Sequence, residues 1–172
     1  MHYFKRMDSP VGLLTLVVGA TGLSAVVWEN DDPLRVRLGR RCESHQHPIL
    51  IEAEYQLQRY FCGDRQSFDL PLEFVGTDFQ KKVWNALLSI PFGQTRSYAQ
   101  VASAIRHPRA VRAVGAANGK NPISIITPCH RVVGSNGHLV GYAGGLAAKR
   151  YLLALESAKA PPGSMLKGMS VF

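Results

Sequence analysis

The sequence predicts a mixed α/β (α+β) chain in two parts. Residues 1–75 read as a small antiparallel β-meander plus one helix, and residues 76–172 as a mainly helical domain with a helix-turn-helix. Three observations predict it. Near the start, short β-branched and apolar runs are separated by turn residues. Later segments repeat apolar residues at helical spacing behind capping residues. Composition changes near Gly76, where the boundary is placed. A length of 172 residues admits one domain or two small ones.

HYFKRM, LLTLVVG and LSAVVWE are the predicted strands, with turns at Ser9-Pro10-Val11-Gly12 and Ala20-Thr21-Gly22. The polar, Arg-rich segment from Asp31 to His47 shows no period and reads as a loop or frayed helix. Pro48 can open a helix at its first position, Leu50, Ala53, Leu57 and Phe61 supply an apolar stripe, and Gly63 stops it. DRQSFDLPLEFVG reads as one strand and a linker. Thr77 and Gln80 form a capping-box pattern before Phe79, Val83, Leu87 and Ile90, and Pro91 and Gly93 end that helix. Ser97 caps YAQVASAI, His107-Pro108 turns the chain, and RAVRAVGAAN follows up to Gly119, a helix-turn-helix pattern. ISII is expected to be a short strand. LAAKRYLLALE is the last helix, with Leu146, Leu152, Leu153 and Leu155 on its apolar face, and Pro161-Pro162-Gly163 is expected to start a mobile tail.

Hydrophobic residues make up 46% of the chain, enough for a core. Twenty Lys plus Arg against 12 Asp plus Glu give a formal charge of +8, which favours an anionic partner such as nucleic acid. Three cysteines, Cys42, Cys62 and Cys129, cannot all pair within the chain, which argues against a disulfide scaffold. The opening HYFKRMDSP lacks the apolar run of a secretory signal, and no stretch has the length of a membrane span. A cytoplasmic protein with reduced thiols, no cofactor and no membrane association is expected.

The chemistry concentrates in ITPCHRVVG. A cysteine becomes a strong nucleophile as thiolate, and the imidazole of His130 beside Cys129 can accept or balance that proton. Pro128 fixes φ and removes a donor, so the segment is a set turn. A Cys-His dipeptide alone is more often an inert buried cysteine. Here Asn121-Pro122 precedes it and Gly141-Tyr142-Ala143-Gly144-Gly145 follows, a loop whose glycines let backbone approach a flat ligand.

Taken together, NPISIITPCHRVVG, the following GYAGG, RAVGAANG and the closing RYLLALE resemble the O6-alkylguanine-DNA alkyltransferases of bacterial type, also called methylated-DNA–protein-cysteine methyltransferases. The resemblance is strong over about the last hundred residues and loose over the N-terminal β region. It implies irreversible transfer of an alkyl group from O6-alkylguanine, and also from O4-alkylthymine, in duplex DNA to Cys129, once per molecule. It further implies that His130 deprotonates Cys129 through a water, Glu156 orients His130, Asn121 braces the turn, and the Tyr98 hydroxyl assists the leaving guanine. Arg112 would replace the extruded nucleotide, with Ala110, Ala113, Ala117 and Ser97 also against DNA in the minor groove. Tyr142, Val132, Ala143 and Ser124 would line the base pocket. The partner implied is double-stranded DNA with a flipped nucleotide, bound by a monomer that can act cooperatively along the strand.

The physics is compatible with those roles. Sulfur displacing at carbon yields a thioether with no easy leaving group, hence a single turnover. The target oxygen is inaccessible in a stacked duplex, so the base must be flipped, which costs a few kcal/mol. The small residues Ala110, Ala113, Gly115, Ala116 and Ala117 let helix backbone approach DNA, although an Ala-rich face also suits tight helix packing.

Thr127 stands where the family usually has an aliphatic residue, and Ser124 where some members have proline, which alters the expected pocket wall. Related alkyltransferase-like proteins carry Trp in place of the reactive cysteine, and this chain has Cys129. Some members bind zinc in the N-terminal domain. Cys42, His45, His47 and Cys62 fit no standard zinc module, and no metal is expected. His2, His107 and His138 are expected at the surface, Trp84 in packing, and Arg35, Arg37, Arg40 and Arg41 on a solvated face or against DNA phosphates. The rival reading is a non-catalytic binder of alkylated bases that recruits other repair factors. A Cys-His hydrolase is disfavoured, because nothing in the sequence demands an oxyanion hole.

Overall fold

The computed structural model describes residues 1–161, so the predicted tail beginning at Pro161-Pro162-Gly163 lies outside the described residues apart from its first proline. The chain divides into two compact units. One comprises residues 1–75 with 122–126, and the other residues 76–121 with the described residues from 127 on. The boundary expected near Gly76 puts 122–126 in the second part. They join the first because Ile123 bridges Val26 and Val26 N donates to Pro122 O at 2.9 Å.

The first unit is a four-stranded sheet and a helix. Strands β1 (His2–Met7), β2 (Leu14–Val18) and β3 (Leu23–Trp28) form the expected antiparallel meander. Strand β4 (Arg41–Glu43) adds in parallel to β1, giving the order β3-β2-β1-β4. β4 falls in the polar segment read as a loop or frayed helix. It is three exposed residues long, so no apolar alternation marks it. β2 and β3 are almost wholly buried, as near-continuous apolar runs require.

The outer edge of β3 is not bare. Leu23 bridges Leu72 and Val26 bridges Ile123, both in parallel, which caps an otherwise sticky edge. The expected strand in DRQSFDLPLEFVG is reduced to that bridge at Leu72. Gly22 permits the approach, since a Cβ there would lie 2.5 Å from Pro71 O. Helix α1 (Pro48–Phe61) packs on the sheet through Leu50, Ala53, Leu57 and Tyr60. Tyr60 takes the buried place expected of Phe61. Positions three and four residues after Leu57 both satisfy helical spacing, and only packing decides between them. In the Arg-rich segment, Arg35 is not a solvated group. Its side chain is largely buried and forks onto the Asp31 carboxylate, with Nε to Oδ1 at 2.6 Å. Arg37, Arg40 and Arg41 are exposed.

The second unit is helical. Thr77 and Gln80 close both halves of a capping box at the start of α2 (Asp78–Leu88), and Ser97 and Gln100 do the same for α3 (Tyr98–Ala104). Val83, Trp84, Leu87 and Ile90 are buried, and the Trp84 indole donates to Ala117 O at 2.9 Å, the packing role expected of it. Helix α4 (Val111–Gly119) completes the helix-turn-helix, with Arg106 in the left-handed region (φ 63°) between the two helices. Short strands β5 (Arg96–Ser97) and β6 (Val132–Val133) pair in parallel. Helix α5 (Leu146–Lys159) starts after Gly145, whose φ of 86° suits glycine. Its buried stripe is Ala148, Lys149, Leu152, Leu153 and Glu156, and Leu146 is exposed rather than part of that face. Among the described residues, no helix is long and apolar enough to cross a membrane.

Candidate active site

Two consecutive tight turns deliver Cys129. ISII is not a strand beyond the single bridge at Ile123. Ile126 N donates to Ser124 O at 2.9 Å across Ile125, a β-branched residue with φ 73°. That conformation is strained for isoleucine, and strain of this kind is held only by surrounding structure. Next, Cys129 N donates to Thr127 O at 2.8 Å across Pro128, whose φ of −81° and ψ of 64° define an inverse γ-turn. The proline ring holds φ near that value, and the Cys129 N–H to Thr127 O bond closes the turn. Asn121 Nδ2 donates to Thr127 O at 2.9 Å and braces the same carbonyl from outside. Cys129–Arg131 then form a single 3-10 turn.

Cys129 is a buried thiol, while Cys42 and Cys62 are exposed. His130 and Glu156 are fully buried, and His130 Nε2 lies 2.7 Å from Glu156 Oε1. Arg131 forks onto the same carboxylate, Nε to Oε2 and Nη2 to Oε1 both at 2.9 Å, and Gly93 N donates to Oε2 at 3.2 Å. Arg131 Nη1 also donates to Ile90 O at 2.6 Å, and its guanidinium lies over the Phe92 ring.

The charge states follow from these contacts. Burial alone would push the Glu156 carboxyl up, but His130 and Arg131 more than offset it and hold it well below the usual carboxylate range. Burial holds His130 below its usual value, against the pull of Glu156. His130 is therefore neutral near pH 7, with Nε2–H donating to the carboxylate. Nδ1, which has no hydrogen-bond partner among the described residues, is left with an open lone pair. Burial, and secondly the charge of Cys129, push the Tyr98 phenol up, which keeps it protonated. Its hydroxyl donates to Val140 O at 3.4 Å.

Both depressed groups have the same consequence for stability. Glu156 binds its proton less well folded than unfolded, so its contribution is present above about pH 4.5 and is lost as pH falls toward its folded value. His130 likewise resists protonation in the fold, so stability falls as pH drops below about 6.5. Glu156→Ala would leave the buried Arg131 uncompensated. We expect a loss of about 3–5 kcal/mol, read as a lower denaturant midpoint at pH 7. A midpoint equal to wild type would mean the network is not load-sharing.

The other expected site residues divide. Val132 is buried on β6, and Tyr142 and Ala143 are half-buried in the loop before α5. Gly141, with φ 41°, opens that loop. Ser124 is buried in the first unit, where its hydroxyl accepts from Trp28 Nε1 at 3.1 Å, so that group is committed to packing. On α4, Arg112, Ala113 and Ala116 are exposed and Ala110 is half-buried. Ala117 is buried, with its carbonyl taking the Trp84 indole, so it faces the protein interior rather than a ligand. Ser97 is engaged as the cap of α3. Sequence reasoning missed two groups. Arg131 was passed over as part of the motif, and Lys149 lay hidden on a helix face expected to be apolar.

Comparison with known proteins identifies the class. Residues 2–74 match the ribonuclease-like domain of 6-O-methylguanine DNA methyltransferase, and residues 78–158 match its DNA binding domain. The chain belongs to the 6-O-methylguanine DNA methyltransferase family. It is 45% identical to the methylated-DNA–protein-cysteine methyltransferase of Mycobacterium tuberculosis H37Rv, over 94% of this chain and 96% of that one. It is 42% identical to the constitutive enzyme of Bacillus subtilis, over 91% and 96%. A crystal structure of the Mycobacterium tuberculosis protein in complex with DNA superposes with a TM-score of 0.84 at 44% identity, covering 93% of this chain and 96% of that one. A methyltransferase from Pyrococcus kodakaraensis shares the fold at 19% identity, with a TM-score of 0.53.

Proposed function

We propose that this protein repairs DNA by direct reversal, moving the alkyl group of O6-alkylguanine onto Cys129 once per molecule. The observation that carries this is the buried thiol of Cys129 beside a neutral His130 fixed by Glu156, in a chain of this family. In the step, His130 Nδ1 takes the Cys129 proton through a water. The thiolate sulfur bonds to the alkyl carbon as the carbon–oxygen bond breaks, and the electron pair goes to the base. Tyr98 protonates the leaving guanine at a ring nitrogen and is reprotonated from solvent, so thiol and ether become thioether and neutral guanine. Asn121 holds the turn, and Tyr142, Val132 and Ala143 receive the base. O4-alkylthymine offers the same alkyl–oxygen bond and is a second substrate. The protein acts as a monomer that can bind cooperatively along DNA.

The base reaches this site by flipping from duplex DNA docked on α4 through the minor groove. Exposed Arg112, flanked by exposed Ala113 and Ala116, can enter the duplex while helix backbone closes on it. The test is a pair of single-turnover rates, on alkylated duplex and on free O6-alkylguanine, which needs no flipping. Arg112→Ala should slow the duplex reaction about 100-fold, the equivalent of a few kcal/mol of lost flipping support, and leave the free base nearly unaffected. Arg112→Lys should rescue only part, because an ammonium lacks the planar fork. Equal slowing on both substrates would place Arg112 in the chemistry or the fold instead.

A further inference from the structure

Helix α5 holds a second buried ionisable group that the mechanism above leaves unused. Lys149 lies seven residues before Glu156 and is fully buried on the same face. Its Nζ donates to Val132 O at 2.7 Å and to Val140 O at 3.1 Å. Those carbonyls stand at the two ends of the segment 133–139, which is folded back on itself by Gly134 N donating to His138 O at 2.9 Å. One ammonium thus ties both ends. Val140 O is also the acceptor of the Tyr98 hydroxyl, so Lys149 and Tyr98 meet on one atom.

A buried cation is costly, and two neutral carbonyls could have been held by an uncharged donor. The charge itself needs a reason, and Cys129 supplies one. Burial lowers the Lys149 ammonium and the charge of Cys129 opposes that, leaving it at about 8. Linkage is reciprocal, so the ammonium favours the thiolate to the same extent. The titratable groups that meet it are Cys129 and His130 on the turn, by charge, and Tyr98 on α3, through the shared Val140 carbonyl, while Arg131 and Glu156 pair with each other and Glu156 also with His130.

We propose that Lys149 is a positioning residue for the transfer, which ties the Val132 and Val140 carbonyls together and favours the Cys129 thiolate by charge. The assignment rests on reading Cys129 as the nucleophile. Its loop contacts set the floor on which the base and the Tyr98 hydroxyl are placed, and its charge acts through space on sulfur.

The first arm of the test needs no change at Lys149. In a Cys42→Ser, Cys62→Ser background, the Lys149 side-chain signal is titrated by NMR before and after Cys129 is capped with iodoacetamide. Capping removes the thiolate, so the Lys149 midpoint, near 8 beforehand, should move down. An unchanged midpoint would overturn the proposal. The second arm follows the rate of iodoacetamide labelling of Cys129 against pH. Lys149→Met should carry the profile to higher pH, with labelling at neutral pH about tenfold slower, the equivalent of one pH unit. Lys149→Arg, which keeps the charge, should hold the wild-type profile. A lysine that merely packs would leave the Met profile in place, and that result would also overturn the proposal. Should the Met variant fail to fold, the titration of the intact lysine still decides. Neither arm uses alkylated DNA, so failure of methyl transfer would count against the repair function and not against Lys149.

Discussion

Cys129→Ser should abolish methyl transfer while DNA affinity stays at the wild-type level. An alcohol is almost wholly protonated at neutral pH, and an uncharged hydroxyl is a far weaker nucleophile toward carbon than a thiolate. The exchange is conservative in volume, and the turn around it is held by Pro128 and Asn121 rather than by sulfur. The exposed groups of α4 proposed to meet DNA are untouched. Cys42→Ser and Cys62→Ser should transfer normally, because both thiols are exposed and belong to the first unit. Single-turnover transfer and a binding titration on each variant check this. Residual transfer in Cys129→Ser, lost instead in one of the other two, would reassign the nucleophile.

The second large effect is expected at His130. His130→Ala removes the base whose open Nδ1 is to take the thiol proton, and transfer at pH 7 should fall by about 10²–10⁴-fold. The pH dependence separates this from a loss of packing. In wild type, burial keeps His130 neutral below its usual value near 6.5, so the rate should hold on the acid side until the imidazole protonates. In the Ala variant the thiolate must form unaided, so the rate should climb with pH through the alkaline range and recover part of the loss. A His130→Ala protein with the wild-type profile would remove the relay. A profile of the right shape at uniformly low amplitude would indicate a damaged turn.

The sequence made the regular elements legible wherever periodicity and caps agree. The meander, α1, both capping boxes and the helix-turn-helix follow from apolar spacing and from Thr77, Gln80, Ser97 and Gln100. What it hid was tertiary. β4 is three exposed residues that pair only because β1 offers an edge, and ISII has β propensity that the strained turn at Ile125 overrides. The site was legible at Cys129 and His130, because Pro-Cys-His-Arg is a local motif. Glu156 and Asn121 lie 27 and 8 residues away from Cys129 in the chain, and only the family pattern pointed to them. Lys149 was invisible because a lysine on an amphipathic helix reads as solvent-facing, and nothing local says that two carbonyls await it. Ala117 erred in the opposite sense. It belongs to a stripe of small residues, and the stripe wraps two faces of α4, one toward solvent and one against Trp84.

The central claim is covalent transfer to one named sulfur, and intact-protein mass spectrometry tests it most directly. The protein is mixed with excess duplex DNA carrying a single O6-methylguanine, and the mass is read before and after, with peptide mapping of the product. Repair by this mechanism predicts a gain of one CH2 unit per molecule, saturating at one, located on Cys129, with the guanine restored in the DNA. An unchanged protein mass with DNA still bound would contradict it, and would make the chain a binder of alkylated bases instead.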